Sequence, residues 1–172
     1  MQKFYQAHNS SYTGDMSADQ DRKLSLPLWA TRIAFAAVFI VNLQCAISFI
    51  TFPENFLAAY DLSGAPVGGV AAIQGFGIVF LMWNATYPAY IAKPLRFSVL
   101  GIIVLVQQAI GVVGETALLL SLPVHQTLLE QSIERFAIFD ALGFVLMLAA
   151  FLWLTHAKRR NRALDLANAA GD

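Results

Sequence analysis

The chain is organised as long, unbroken apolar runs separated by short polar breaks. A bilayer core of about 30 Å is crossed by roughly 20 apolar residues in an α-helix. Four runs reach that length. The first extends from about Leu28 to Phe52 and is closed by Pro53. The second extends from about Val67 to Ile91, with Pro88 in its last turns. The third extends from about Pro94 to Leu122, with Pro94 in its first turn and Pro123 beyond its end. The fourth extends from about Ser132 to His156. Strands of a membrane barrel alternate in polarity, and these runs do not. The pattern predicts an all-α fold, an integral membrane antiparallel four-helix bundle.

The polar breaks predict the organisation around that domain. Residues 1–25 read as a disordered cytoplasmic tail, 26–156 as the four-helix transmembrane domain and 157–172 as a basic cytoplasmic tail. The first apolar run is too long for the core of a secretory signal, so the leading segment reads as a tail rather than a cleaved peptide. Loop one, PENFLAAYDLSGAP, and loop three, LPVHQTLLEQ, are each long enough for a short interfacial helix.

Charge orients the bundle. Lys3, Arg22, Lys23 and Arg32 precede or open the first run. Lys93 and Arg96 lie between the second and third. Lys158, Arg159, Arg160 and Arg162 follow the fourth. The loops after the first and third runs hold no Lys or Arg. By the positive-inside rule both termini are cytoplasmic. The expected location is the inner or plasma membrane of a bacterial cell, multi-pass, with the lipid bilayer as the main partner.

Composition removes further classes. Hydrophobic residues make up 58% of the chain and charged residues 13%; a soluble domain carries roughly a quarter of its residues as charged. An ordinary water-soluble globule and a disordered chain are both excluded. The formal net charge is zero, so no nucleic-acid surface is implied. Cys45 is the one cysteine, so an internal disulfide and a CxxC redox pair are excluded. His8, His125 and His156 do not fall at one depth, so no bis-histidine haem is implied. No metal-binding motif is present, and no cofactor is expected.

The candidate chemistry lies in polar residues placed inside apolar runs, where a charge costs at least about 2.5–3.5 kcal/mol. Glu115, Asp140 and Arg135 are the three charges. Gln44, Gln74 and Gln108 add uncharged polar groups. One polar side chain from each span falls at a similar level in the outer half. Gln108, Gly111 and Glu115 share a helical face. Two readings stay open. In one, Glu115 pairs with Arg135 and the polar groups fix helix register. In the other, Glu115, Asp140 and Arg135 form a ligand-binding or proton-relay site. No residue is assigned a catalytic role.

The second run ends in LMWNATYPAY. Pro88 frees the carbonyl of Asn84, which predicts a kink there. Gly77, Asn84 and Pro88 share a face, while Trp83, Tyr87 and Tyr90 suit an interfacial aromatic belt. Asn84, Tyr87 and Pro88 are the candidates for an inner-side hinge or pocket. In the first run Asn42 and Gln44 point about 200° apart at the helical 3.6-residue period. One of them is expected to face outward, which leaves room for a homo-oligomer or a membrane-complex partner.

The plan resembles the DoxX-like group of small four-helix bacterial membrane proteins. The similar features are an arginine opening the first span (TRIAFAAVF), Pro53 after it, and a glycine-rich entry to the second (GGVAAIQGFG). The resemblance implies a membrane accessory protein, in some cases associated with quinone or thiol redox systems. The expected function is an accessory or small-amphiphile-binding membrane protein, leaning away from an enzyme. The alternatives are a proton- or solute-conducting oligomer using Glu115 and Asp140, or an intramembrane acid/base enzyme on a quinone- or lipid-like substrate.

Overall fold

The computed structural model describes the backbone of residues 2–123 and 127–171, and side chains of 24–123, 128–164 and 166–169. Five α-helices are present: α1 Gln2–Thr51, α2 Pro66–Trp83, α3 Tyr87–Ala92, α4 Ser98–Ser121 and α5 Thr127–Gly171. Two 3-10 turns, Pro53–Phe56 and Asn84–Thr86, complete the set, and no strand occurs among the described residues. Four helices are long and apolar enough to cross a membrane: Leu24–Thr51, Pro66–Ala92, Ser98–Ser121 and Leu128–Ala169. The helix before Leu24 is continuous with the first of these. Pro94 lies in the turn that precedes α4, where the Phe97 amide donates to the Lys93 carbonyl. Loop three contributes Thr127–Gln131 to the first turns of α5.

The apolar residues that face outward show which solvent this fold expects. Ile33, Ile40 and Ile47 on α1, Ile102, Ile110 and Val113 on α4, and Leu142, Val145 and Leu152 on α5 are all exposed. Such a contiguous apolar surface marks a membrane or partner contact in a folded protein. With lipid outside, helices gain little by hiding apolar area and instead pack through shape and small residues. Gly77 shows this. A Cβ there would lie 2.8 Å from the Ala46 carbonyl oxygen, so α2 crosses α1 at backbone distance.

The helices are joined pairwise. α1 packs on α2 and α5, and α4 packs on α5. α2 and α4 make few close backbone contacts; α3 reaches across to both α1 and α4. One end of the bundle, here the Tyr90 end, is therefore closed. Tyr87 and Tyr90 are fully buried there against Phe35. Gly101 lets α4 approach, since a Cβ would sit 2.6 Å from the Tyr90 ring. The Thr31 hydroxyl lies 3.1 Å from the Ala150 carbonyl, and Arg32 donates to the Ala92 carbonyl at the end of α3 at 3.0 Å. The opposite, Tyr60 end is built from rings in the first connection. Phe49 meets Phe56, Tyr60 and Phe136 at centroid distances of 4.6, 6.0 and 6.2 Å.

The break in the second span follows from Pro88. The ring cannot supply the amide that the Asn84 carbonyl needs. The chain tightens to a 3-10 turn, and the Tyr87 amide donates to that carbonyl instead. The interfacial belt expected for Tyr87 and Tyr90 is replaced by burial: both rings are core, because α3 turns them inward.

Candidate functional site

Among the described residues, a buried network and two lateral pockets hold Asp140, Gln108, Tyr87, Glu115 and Arg135. The network centres on Asp140 of α5 and Gln108 of α4, both buried. Gly111 makes the space: a Cβ there would fall 2.6 Å from Asp140 Oδ2. Gln108 Nε2 donates to the Asp140 backbone carbonyl at 3.4 Å, and its amide also faces the Asp140 carboxyl. Gln108 Oε1 accepts from the Tyr87 hydroxyl at 3.2 Å. Buried Asn42 of α1 faces the same hydroxyl. Four elements thus converge on one hydrogen-bonded cluster. Partnering of this kind offsets the cost of burying polar groups.

Glu115 stands apart. It lies one turn beyond Gly111 on α4 and is half-buried. Its Oε2 is buried with no hydrogen-bond partner among the described residues. It lines a pocket of about 200 Å³ with Phe49, Tyr60, Phe76, Val79, Phe80, Leu118, Ile133 and Phe136. The wall residues come from α2 and α4, which make few close backbone contacts, and from α1, the first connection and α5. This pocket is therefore a side opening between α2 and α4.

Arg135 lies elsewhere. It is exposed and lines a second pocket of about 310 Å³, with Asn42, Cys45, Phe56, Tyr60, Ser132, Phe136 and Phe139. No carboxylate pairs with it among the described residues. The Glu115–Arg135 ion pair considered from sequence is not formed. The reason is positional. Tyr60 and Phe136 line both pockets and stand between them as a partition. Burial holds the Tyr60 phenol above its ordinary range, and Cys45 and Glu115 on its two sides push the same way. It is a neutral hydroxyl within reach of both pockets.

The remaining candidates separate. Gln74 donates to the Ile50 carbonyl at 3.2 Å and ties α2 to the end of α1. Gln44 is exposed, while Asn42, two residues earlier, points into the core. Asn84 is buried and donates to the Phe80 carbonyl at 2.7 Å, leaving its Oδ1 without a partner. Tyr87 joins the Asp140 network rather than a separate pocket. Pro88 is exposed, so it does not share the buried face of Gly77 and Asn84. His156 is exposed, and His8 and His125 lie outside the described side chains. Tyr60 is the residue that sequence reasoning passed over. An aromatic amid a short connection was the only signal, and that signal is common.

Among the described residues no group of His, Cys, Asp and Glu is placed to hold a metal ion. No family model, curated protein or solved structure matches this chain.

Proposed function

We propose that this chain is an antiparallel four-span membrane protein, with both termini cytoplasmic, that binds a small amphiphile in the opening between α2 and α4. The observation that carries the reading is Glu115. Its buried, unpartnered carboxyl oxygen faces an apolar-walled pocket at the α2–α4 seam. A partnerless ionisable side chain at membrane depth points to a functional site. Conventional enclosing sites measure about 300–1,000 Å³. A pocket of about 200 Å³ holds a head group and its first carbons, with the rest of the chain in the bilayer. The head group carries a hydrogen-bonding group, an amine or hydroxyl, that meets the unpartnered Glu115 oxygen.

Helix contacts support the antiparallel arrangement. Thr31 meets Ala150, while Phe49 meets Phe136. Basic residues support the orientation. Arg32, Lys93 and Arg96 gather at the Tyr90 end, where Lys158–Arg162 follows the fourth span. The resemblance of the sequence plan to the DoxX-like group implies an accessory role of this kind.

The test is a native mass spectrum of the protein released in mild detergent, compared with Glu115→Leu. A stoichiometric bound mass on the parent chain and its loss from the variant are expected. A parent chain that carries nothing, or a variant that keeps the same mass, overturns the reading.

A further inference from the structure

The second pocket differs from the first in sign. Its one charged lining residue is Arg135, with Asn42, Cys45, Tyr60, Ser132 and Phe136 around it. Arg135 projects from a helix segment that is apolar enough to cross a membrane, and it is exposed there. An arginine in that position faces the interface or a cavity, and an anion there lowers its cost further. Neighbouring helices supply none: no carboxylate pairs with it among the described residues, and Glu115 lies beyond the Tyr60–Phe136 partition. An anion at Arg135 would therefore come from outside the described residues.

We infer that the α1–α5 face holds an anionic phospholipid, its phosphate on Arg135 and its upper acyl chain along the apolar wall. Charge complementarity selects this occupant. A guanidinium binds phosphate oxygens through paired N–H donors. Ser132 lies one turn before Arg135 on α5 and lines the same pocket, its hydroxyl donating to the Leu128 carbonyl at 2.8 Å. Asn42 lines the same pocket and also faces the Tyr87 hydroxyl of the buried network. The lipid head thus sits where that network borders a lateral pocket. The volume, about 310 Å³, accommodates a glycerophosphate head better than the smaller acid-lined pocket does. The inference stands independently of Glu115, which lies in the other pocket.

The experiment uses the full chain in nanodiscs of phosphatidylcholine containing a minor fraction of phosphatidylglycerol, followed by native mass spectrometry. The parent protein is expected to retain one phosphatidylglycerol in preference to phosphatidylcholine. Arg135→Gln is expected to lower that retention about tenfold, the size of one lost charge-assisted hydrogen bond, while Arg135→Lys keeps part of it. Arg135 is exposed, so these variants leave the packed core alone. Arg162→Gln, in the basic segment after the fourth span, serves as the comparison for general attraction to acidic membranes. Equal loss in Arg162→Gln and Arg135→Gln overturns the inference, as does unchanged retention in Arg135→Gln or no lipid preference in the parent.

Discussion

The Tyr90 end and the Tyr60 end of the bundle use similar residues to opposite effect. At the Tyr90 end, Phe35, Tyr87 and Tyr90 are fully buried, with Val104 and Met147 equally enclosed around them. α3 bridges α1 to α4, and Gly101 gives up a side chain so that a ring can fill the space. At the Tyr60 end the rings are as numerous, but no helix bridges α2 to α4. Phe136 and Tyr60 become walls between two lateral pockets instead of the floor of a core. Aromatic content alone therefore does not close a membrane bundle. Closure needs a backbone element that crosses between helices and a small residue that receives the ring.

This contrast predicts where substitutions cost stability. The largest effect is expected for Phe35→Ala, at the closed end: about 2–3 kcal/mol by chemical unfolding in mixed micelles. That is below the roughly 3–5 kcal/mol of a soluble core, because the removed ring would otherwise return to lipid rather than water. A loss under 1 kcal/mol would mean that the closed end is not densely packed. Next comes Gly101→Ala, which inserts a carbon 2.6 Å from the Tyr90 ring. Overpacking of this kind costs about 1–2 kcal/mol, and the paired change Tyr90→Leu should recover part of it. Tyr87→Phe removes the hydroxyl that Gln108 accepts from. Inter-helix hydrogen bonds in membranes average about 0.6 kcal/mol, and a loss near that value is expected.

The smallest effects belong to the open end. Glu115→Gln and Arg135→Gln are each expected to change stability by no more than about 0.5 kcal/mol and to be additive when combined. A coupling energy above about 1 kcal/mol in that double-mutant cycle would show that the two side chains meet after all.

The four spans were legible because continuous apolar length is a property of sequence alone. The first span begins near Leu28 by pattern and at Leu24 in the structure, and the third ends near Leu122 and at Ser121. The kink at Asn84 was legible for the same reason: proline removes a donor wherever it stands. The sharing of polar residues between network and pockets was not. The pattern puts Glu115 level with Asp140, whereas the α4 side chain that bonds the Asp140 carbonyl is Gln108, two turns earlier. Glu115, on the same helical face as Gln108, faces a different space, because that face meets α5 at Gln108 and Gly111 and the α2 seam at Glu115. Sequence period gives a direction around one helix. It does not give which neighbour stands there at each depth, and depth-dependent neighbours are what separate a core residue from a pocket residue.

The 3-10 turn at Asn84–Thr86 acts as an angular vernier. An α-helix advances about 100° per residue and a 3-10 helix about 120°. Three residues of the tighter form add about 60° of rotation to everything that follows. In an uninterrupted α-helix, Pro88 would fall within about 20° of Gly77 and Tyr90 about 140° away from it. With the added rotation Tyr87 returns to within about 20° of Gly77, Tyr90 to about 80°, and Pro88 turns out to lipid. Gly69, Ile73, Gly77, Asn84, Tyr87 and Tyr90 then occupy one narrow sector, and all six are buried. The proline that breaks the span is thus the residue that brings its last turns back into phase.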